Sequence, residues 1–277
     1  MNFSLMRTTL LLLLAASFAL LSCRSQDLIR PGDTLEVAFE KAMNQFELGN
    51  YGDAARAFET VISIGRGTEI GQDAQFYLAE TYFNDRRYLL ASSEYSRYVQ
   101  FHPNSPRREI VEFREAKSFY HLSPRFRLDQ TYTNRAIERF RLFNSRYPNS
   151  EHREEAATLI TELRDKLARR DFNAAEFYMR TRQYNSAAIY YGLVIDQFPE
   201  SSWAERALLR QIEAYFLFAE NSVERRQEER YEKALESYSR YLQLFPQGEN
   251  RSRAEELYDR INRGLENVRN NAVAQSN

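Results

Sequence analysis

Apolar residues recur at helical spacing through most of the chain, and they recur in a fixed order. Tyr88, Ala91, Tyr95 and Pro103 hold the same relative positions as Tyr184, Ala187, Tyr191 and Pro199, and as Tyr231, Ala234, Tyr238 and Pro246. The set Thr133, Ala136, Phe140 and Pro148 departs only at its first member. The set Tyr51, Ala54 and Phe58 departs only at its last, where Arg66 stands. Alanine and the following aromatic lie four residues apart and share one helix face. The small side chain lets a neighbouring helix approach, and the ring fills the space above it. Proline then ends the helix, because it lacks an N–H and disfavours helix at the residue before it. A unit of this kind repeated five times predicts an array of helical pairs, in which each pair buries its apolar face only against its neighbours.

Taken as pairs of helices A and B, repeat one is predicted at 35–48 and 53–64. Gly49-Asn50 lies between them, and glycine accepts the left-handed conformation of a helix end without steric cost. Repeat two is predicted at 73–84 and 89–101, and repeat four runs to 182 and then from 186 to 197. Ser105, Ser150 and the Ser202-x-x-Glu205 box are the expected N-caps. The pattern resembles the tetratricopeptide repeat, whose unit is about 34 residues. The prolines here stand 45, 51 and 47 residues apart, so material is inserted. Two insertions, 122–132 and 220–230, fall between helices A and B. A third lengthens helix A of repeat four, because 150–182 lacks Gly and Pro and carries apolar residues at helical spacing. One long helix, or two with a slight kink, is expected there, joining an N-terminal half at 35–149 to a C-terminal half at 150–277. Leu257, Ile261, Leu265 and Val268 form one stripe that should cap the array, and 270–277 should fray. The expected fold is all-α: a right-handed α-solenoid of about five tetratricopeptide-like pairs with a C-terminal capping helix.

The start of the chain has a different pattern. Arg7 precedes an apolar run at 10–21, the length of a secretory core and short for a membrane span. Leu20-Leu21-Ser22-Cys23 follows and resembles a bacterial lipobox. Cys23 is the only cysteine in the chain, which rules out an internal disulfide. The expectation is a cleaved lipoprotein signal at 1–22, a lipidated tether at 23–34, and covalent diacylglyceryl and N-acyl groups on Cys23. More than one acyl chain gives firm anchoring. Arg24 after the cysteine points to the periplasmic face of the outer membrane.

Composition narrows the chemistry. The chain has 277 residues, a net charge of −1 and scattered charges, so no basic patch suggests nucleic acid. The three histidines, His102, His121 and His152, show no metal-ligand spacing, and no nucleophile elbow, P-loop or dinucleotide fingerprint is present. The run Arg225-Arg226-Gln227-Glu228-Glu229-Arg230 reads first as a solvated, ion-paired face, with a charged contact surface as the alternative. No cofactor, metal or catalytic residue is expected.

A second ladder lies on helix A. Phe39, Phe76 and Phe113 stand 37 residues apart, and Phe46, Phe83 and Tyr120 repeat that spacing seven residues on. If these positions face the concave side, six aromatics line a groove suited to an extended apolar or aromatic peptide. The alternative is packing of helix A against the next repeat. In the C-terminal half the ladder changes to Phe172, Met179, Leu209 and Phe216, which suggests a different ligand there.

Repeats three and four resemble one family, the BamD (ComL) lipoproteins of the β-barrel assembly machinery. The resemblance rests on Asp129-Gln130-Thr131-Tyr132-Thr133 leading into Ala136 and Phe140, then Tyr147-Pro148-Asn149-Ser150. It continues with Leu167-Ala168, Ala175-Glu176-Phe177-Tyr178, and Tyr184 with Ala187-Ala188 closing on Phe198-Pro199. It implies a non-catalytic periplasmic adaptor for folding and insertion of outer-membrane proteins. The implied partners are the barrel-forming subunit through the C-terminal half, other assembly lipoproteins, and C-terminal segments of unfolded outer-membrane proteins through the N-terminal half. Two other classes stand beside it: a repeat lipoprotein serving secretin and pilus assembly or cell-wall synthesis, and an enzyme acting on peptidoglycan.

Overall fold

The computed structural model of the chain describes residues 28–276. The expected signal at 1–22 and Cys23 lie outside them. Eleven helices and no strands occur among the described residues. They form two compact units, one ending at His102 and one beginning at Pro103.

The first unit contains α1 (Leu35–Glu47), α2 (Tyr51–Ile64), α3 (Glu69–Asn84) and α4 (Tyr88–Phe101). The second contains α5 (Arg108–Leu122), α6 (Thr131–Arg146), α7 (Arg153–Arg180), α8 (Tyr184–Gln197), α9 (Ala204–Glu220), α10 (Glu224–Leu244) and α11 (Arg251–Ser276). In each unit every helix packs on the next in sequence, and α1 also meets α3, α7 meets α9, and α9 meets α11. This is the packing of helical pairs.

The repeated alanines explain the close approach: Ala54, Ala91, Ala136, Ala187 and Ala234 are all fully buried. Phe58, Tyr95, Phe140 and Tyr191 above them are buried as well. Tyr238 is half-buried and stacks on Tyr258 of α11, with centroids 4.6 Å apart. The turn between helices A and B is left-handed in three repeats. Gly49 has φ 75°, and Arg86 and Arg182, at the matching places in repeats two and four, both have φ 59°.

Several boundaries differ from the sequence expectation. The units divide at 102/103, whereas the expected junction at 149/150 falls inside the second unit. There Phe113, Phe140 and Phe143 share one buried core with Ala156 and Leu163 of α7, so no break in packing occurs. The lengthened helix α7 is a single helix. The insertion at 220–230 is mostly not a loop: only Asn221–Val223 intervene before α10 starts two turns early. That stretch is rich in Glu, Arg and Gln, good helix formers, and holds no Gly or Pro. The last helix, α11, runs on past 270 to Ser276.

The serine caps are also placed differently. Ser105 and Ser150 accept from the backbone N–H two residues on, at 3.2 and 3.1 Å, and so form turns ahead of the helices. The Ser202–Glu205 box does not form. Ser202 donates from its backbone N–H and its hydroxyl to Asp165 Oδ1, at 2.9 and 2.7 Å. Glu205 instead accepts from the Tyr241 hydroxyl at 2.7 Å and the Asn250 backbone at 2.7 Å.

Candidate functional site

The helix A ladder divides between the units. In the first, Phe39, Phe46, Phe76 and Phe83 are all half-buried. Phe39 and Phe46 pack on Phe58 and Tyr77 with centroids 5.7–6.4 Å apart. Phe76 meets Tyr77 and Tyr98, and Phe83 meets Tyr88 and Tyr95, mostly edge to face. Each ring therefore has a packing role and still presents part of its surface to solvent.

The second unit corrects the ladder. Phe113 is only 2% exposed, tilted against Phe140 and Phe143 and stacked on His152 at 4.4 Å. It belongs to the core and cannot line a groove. The bulk of α6 and the His152 ring close over it, which spacing along the chain does not reveal. Tyr120 is half-buried, and its hydroxyl donates to Glu162 at 2.8 Å.

The inserted loop that carries the family-like residues is locked from within. Gln130 is buried and donates to the carbonyls of Arg125 and Leu128, at 3.0 and 2.7 Å. Its Oε1 accepts from the Thr133 hydroxyl at 2.7 Å. Asp129 Oδ1 accepts from the Thr131 N–H at 3.0 Å, and the bonds from Thr131 hold the Asp129 carboxyl below its ordinary value. Thr133 also bonds Ser123, whose hydroxyl accepts from the Lys166 amine. Burial lowers the Lys166 amine's pKa. A hydroxyl beside a depressed amine is the arrangement most suggestive of nucleophilic chemistry among the described residues. Here, however, Ser123 links the loop, α6 and α7, and the structural role accounts for all of its contacts.

Repeats four and five hold residues that spacing alone did not single out. Glu176 on α7 accepts from Arg210 Nε at 2.8 Å and Nη2 at 3.2 Å, and from the Tyr191 hydroxyl. Burial pushes the Glu176 carboxyl up, but the bonds from Arg210 and Tyr191 outweigh it and hold its pKa low. Beside this network α7 and α9 enclose a cleft of about 480 Å³, lined chiefly by Arg169, Phe172, Arg180, Trp203, Arg206 and Arg210. Arg206 lies over the rings of Phe172 and Trp203, at 5.5 and 5.2 Å. Arg169 lies between Trp203 and Phe126 of the inserted loop, at 5.8 and 4.5 Å. The visible signal was Arg169 three residues before Phe172 and Arg206 three after Trp203, spacings that place each pair on one helix face.

The charged run on α10 is a solvated face. Arg226 pairs with Glu229 at 3.1 Å, and Glu228 with Arg269 at 2.8 Å. No group of three His, Cys, Asp or Glu among the described residues could hold a metal ion. No helix among them is long and apolar enough to cross a membrane.

These features define an all-α helical-repeat protein whose surface carries partly exposed aromatics and one cationic cleft. Within that class the chain belongs to the YfiO family, described as outer membrane lipoprotein, whose family model matches residues 31–230. All of α11 and most of α10 lie beyond the match. Curated relatives carry the name outer membrane protein assembly factor BamD. The one from Caulobacter vibrioides is 22% identical over 69% of this chain and 63% of its own length. The one from Neisseria meningitidis serogroup B is 24% identical over 72% of this chain and 80% of its own length. Among solved structures, the yeast Sti1 TPR2AB domain in complex with pHSP90 matches at a TM-score of 0.40 and 12% identity, covering 89% of this chain and 96% of that one. A tetratricopeptide repeat protein from Parabacteroides merdae matches at 0.36 and 13% identity, covering 82% and 98%.

Proposed function

We propose that this protein is a non-catalytic scaffold that aids the assembly of outer-membrane proteins, held at the periplasmic face of the outer membrane by lipid on Cys23. The observation that carries this reading is membership of the outer membrane lipoprotein family across 31–230, together with relatives named as assembly factors. The lipobox-like Leu20-Leu21-Ser22-Cys23 supports the anchor.

The described surface suits contacts with other proteins. On the second unit Phe177 and Ile189 are each about half exposed, next to Tyr178 and Tyr190, whose rings are 4.7 Å apart. Adjacent exposed aromatic and aliphatic side chains favour a protein interface, and this patch is where the second unit meets the barrel-forming subunit. On the first unit Phe39, Phe46, Phe76 and Phe83 offer aromatic surface to an extended segment of an unfolded outer-membrane protein.

Depletion of the protein in its own host tests the role. The content of β-barrel proteins in the outer membrane should fall, and a complementing copy with Cys23→Ala should fail to restore it. Unchanged barrel content after full depletion refutes the reading. For the aromatic surface, Phe76→Ala/Phe83→Ala should weaken binding of an aromatic-ended peptide to the purified protein while helix content stays at the parent level. Global loss of helix would instead assign these rings to packing.

A further inference from the structure

We propose that the cleft between α7 and α9 is a binding site for an acidic peptide segment, whose carboxylates are held by Arg169, Arg180 and Arg206. The volume of about 480 Å³ is in the range of ligand-binding clefts and admits side chains of a short segment.

The charge balance inside it is one-sided. Four arginines line the cleft and face one carboxylate, Glu176. That carboxylate is already engaged by Arg210 and Tyr191, and Arg210 also pairs with Glu213 at 2.5 Å. Of the neighbouring acids on α7, Asp171 pairs with Arg170 at 2.7 Å, and Asp165 accepts from Ser202 and from Trp203 Nε1 at 3.1 Å. No carboxylate among the described residues lies within ion-pair distance of Arg169, Arg180 or Arg206. Asn250, also on the lining, turns its donors toward Glu205.

The rings set these cations in place. A guanidinium lying over an aromatic face is attracted by the ring quadrupole and keeps its in-plane N–H donors for a second partner. Arg206 over Phe172 and Trp203, and Arg169 between Phe126 and Trp203, have this arrangement. Their entropy cost on binding an anion is correspondingly reduced. The matching anion is a carboxylate, which meets a guanidinium fork through two parallel hydrogen bonds. Phe172, Trp203 and Leu209 on the same lining favour a carboxylate carried on a peptide with apolar neighbours over a bare headgroup phosphate. Phe126 of loop 123–130 lies under the Arg169 guanidinium, 4.5 Å away, so the insertion between α5 and α6 helps to position this lining cation.

This inference does not rest on the assembly role, because it is measured on the purified protein alone. The full-length protein in detergent is titrated against a fluorescein-labelled peptide of alternating glutamate and phenylalanine, with lysine replacing glutamate in the control. The glutamate peptide should bind at least about tenfold more tightly, and more weakly at high salt. Arg169→Gln/Arg206→Gln should lose about tenfold in affinity with unchanged helical circular dichroism. If that variant loses helix, Arg180→Gln, which stacks on no ring among the described residues, carries the same prediction. Equal binding of the two peptides, or full binding by a folded variant, overturns the proposal. So does arginine-dependent binding to phosphatidylglycerol vesicles without binding to the acidic peptide.

Discussion

Replacing Gln130 by leucine should destabilise the second unit by about 2–4 kcal/mol. Leucine keeps most of the side-chain volume and removes all three hydrogen bonds. Two of these satisfy the carbonyls of Arg125 and Leu128, and the third joins Thr133, which is fully buried. Each bond contributes about 1 kcal/mol net, so the three together account for the loss; the Arg125 carbonyl keeps its bond from the Leu128 N–H at 3.0 Å. Thr133 retains its bond to Ser123, so its share of the loss is small. Asp129→Ala should cost no more than about 1 kcal/mol, because its turn is exposed to water, which replaces the lost acceptor. Equilibrium urea unfolding followed through Trp203, the single tryptophan, reports on this unit. With a slope of about 1–3 kcal/mol per molar, the midpoint should fall by about 1 M or more for Gln130→Leu. A shift equal to that of Asp129→Ala would refute the view that Gln130 is the lock of the loop.

Other substitutions test other parts of the reasoning. Arg86→Gly or Arg182→Gly relieves a left-handed backbone at φ 59° and should raise stability by about 0.5–1 kcal/mol, read from thermal unfolding. Phe113→Ala should cost about 3–5 kcal/mol, because it opens a cavity in the core, and should leave peptide binding by the first unit unchanged. Ala187→Leu should cost about 1–3 kcal/mol by overpacking a fully buried helix contact. Glu176 is held below the ordinary glutamate pKa, so its stabilising effect is complete above that value and is lost as pH falls through the lower folded value. The difference in urea midpoint between the parent and Glu176→Gln should therefore be constant near neutrality and vanish in acid.

The sequence made the repeat legible because the repeat is a packing rule. An alanine where helices touch and a ring four residues on leave a mark at fixed spacing, and all five alanines are buried where that mark places them. Function was harder to locate, for two physical reasons. Spacing on helix A says that residues share a face, but not how much of that face a neighbour covers; Phe39 and Phe113 share a ladder, yet His152 and α6 cover only the second. The cationic cleft depends on contacts between residues far apart in the chain, with Phe126, Arg169 and Trp203 on separate elements meeting only after folding. The 129–133 segment spends its polar groups on closing its own loop and on Ser123. Its role is therefore architectural: it holds the loop from which Phe126 reaches Arg169. The arginines and rings that this architecture brings together are those of the cleft proposed for an acidic segment.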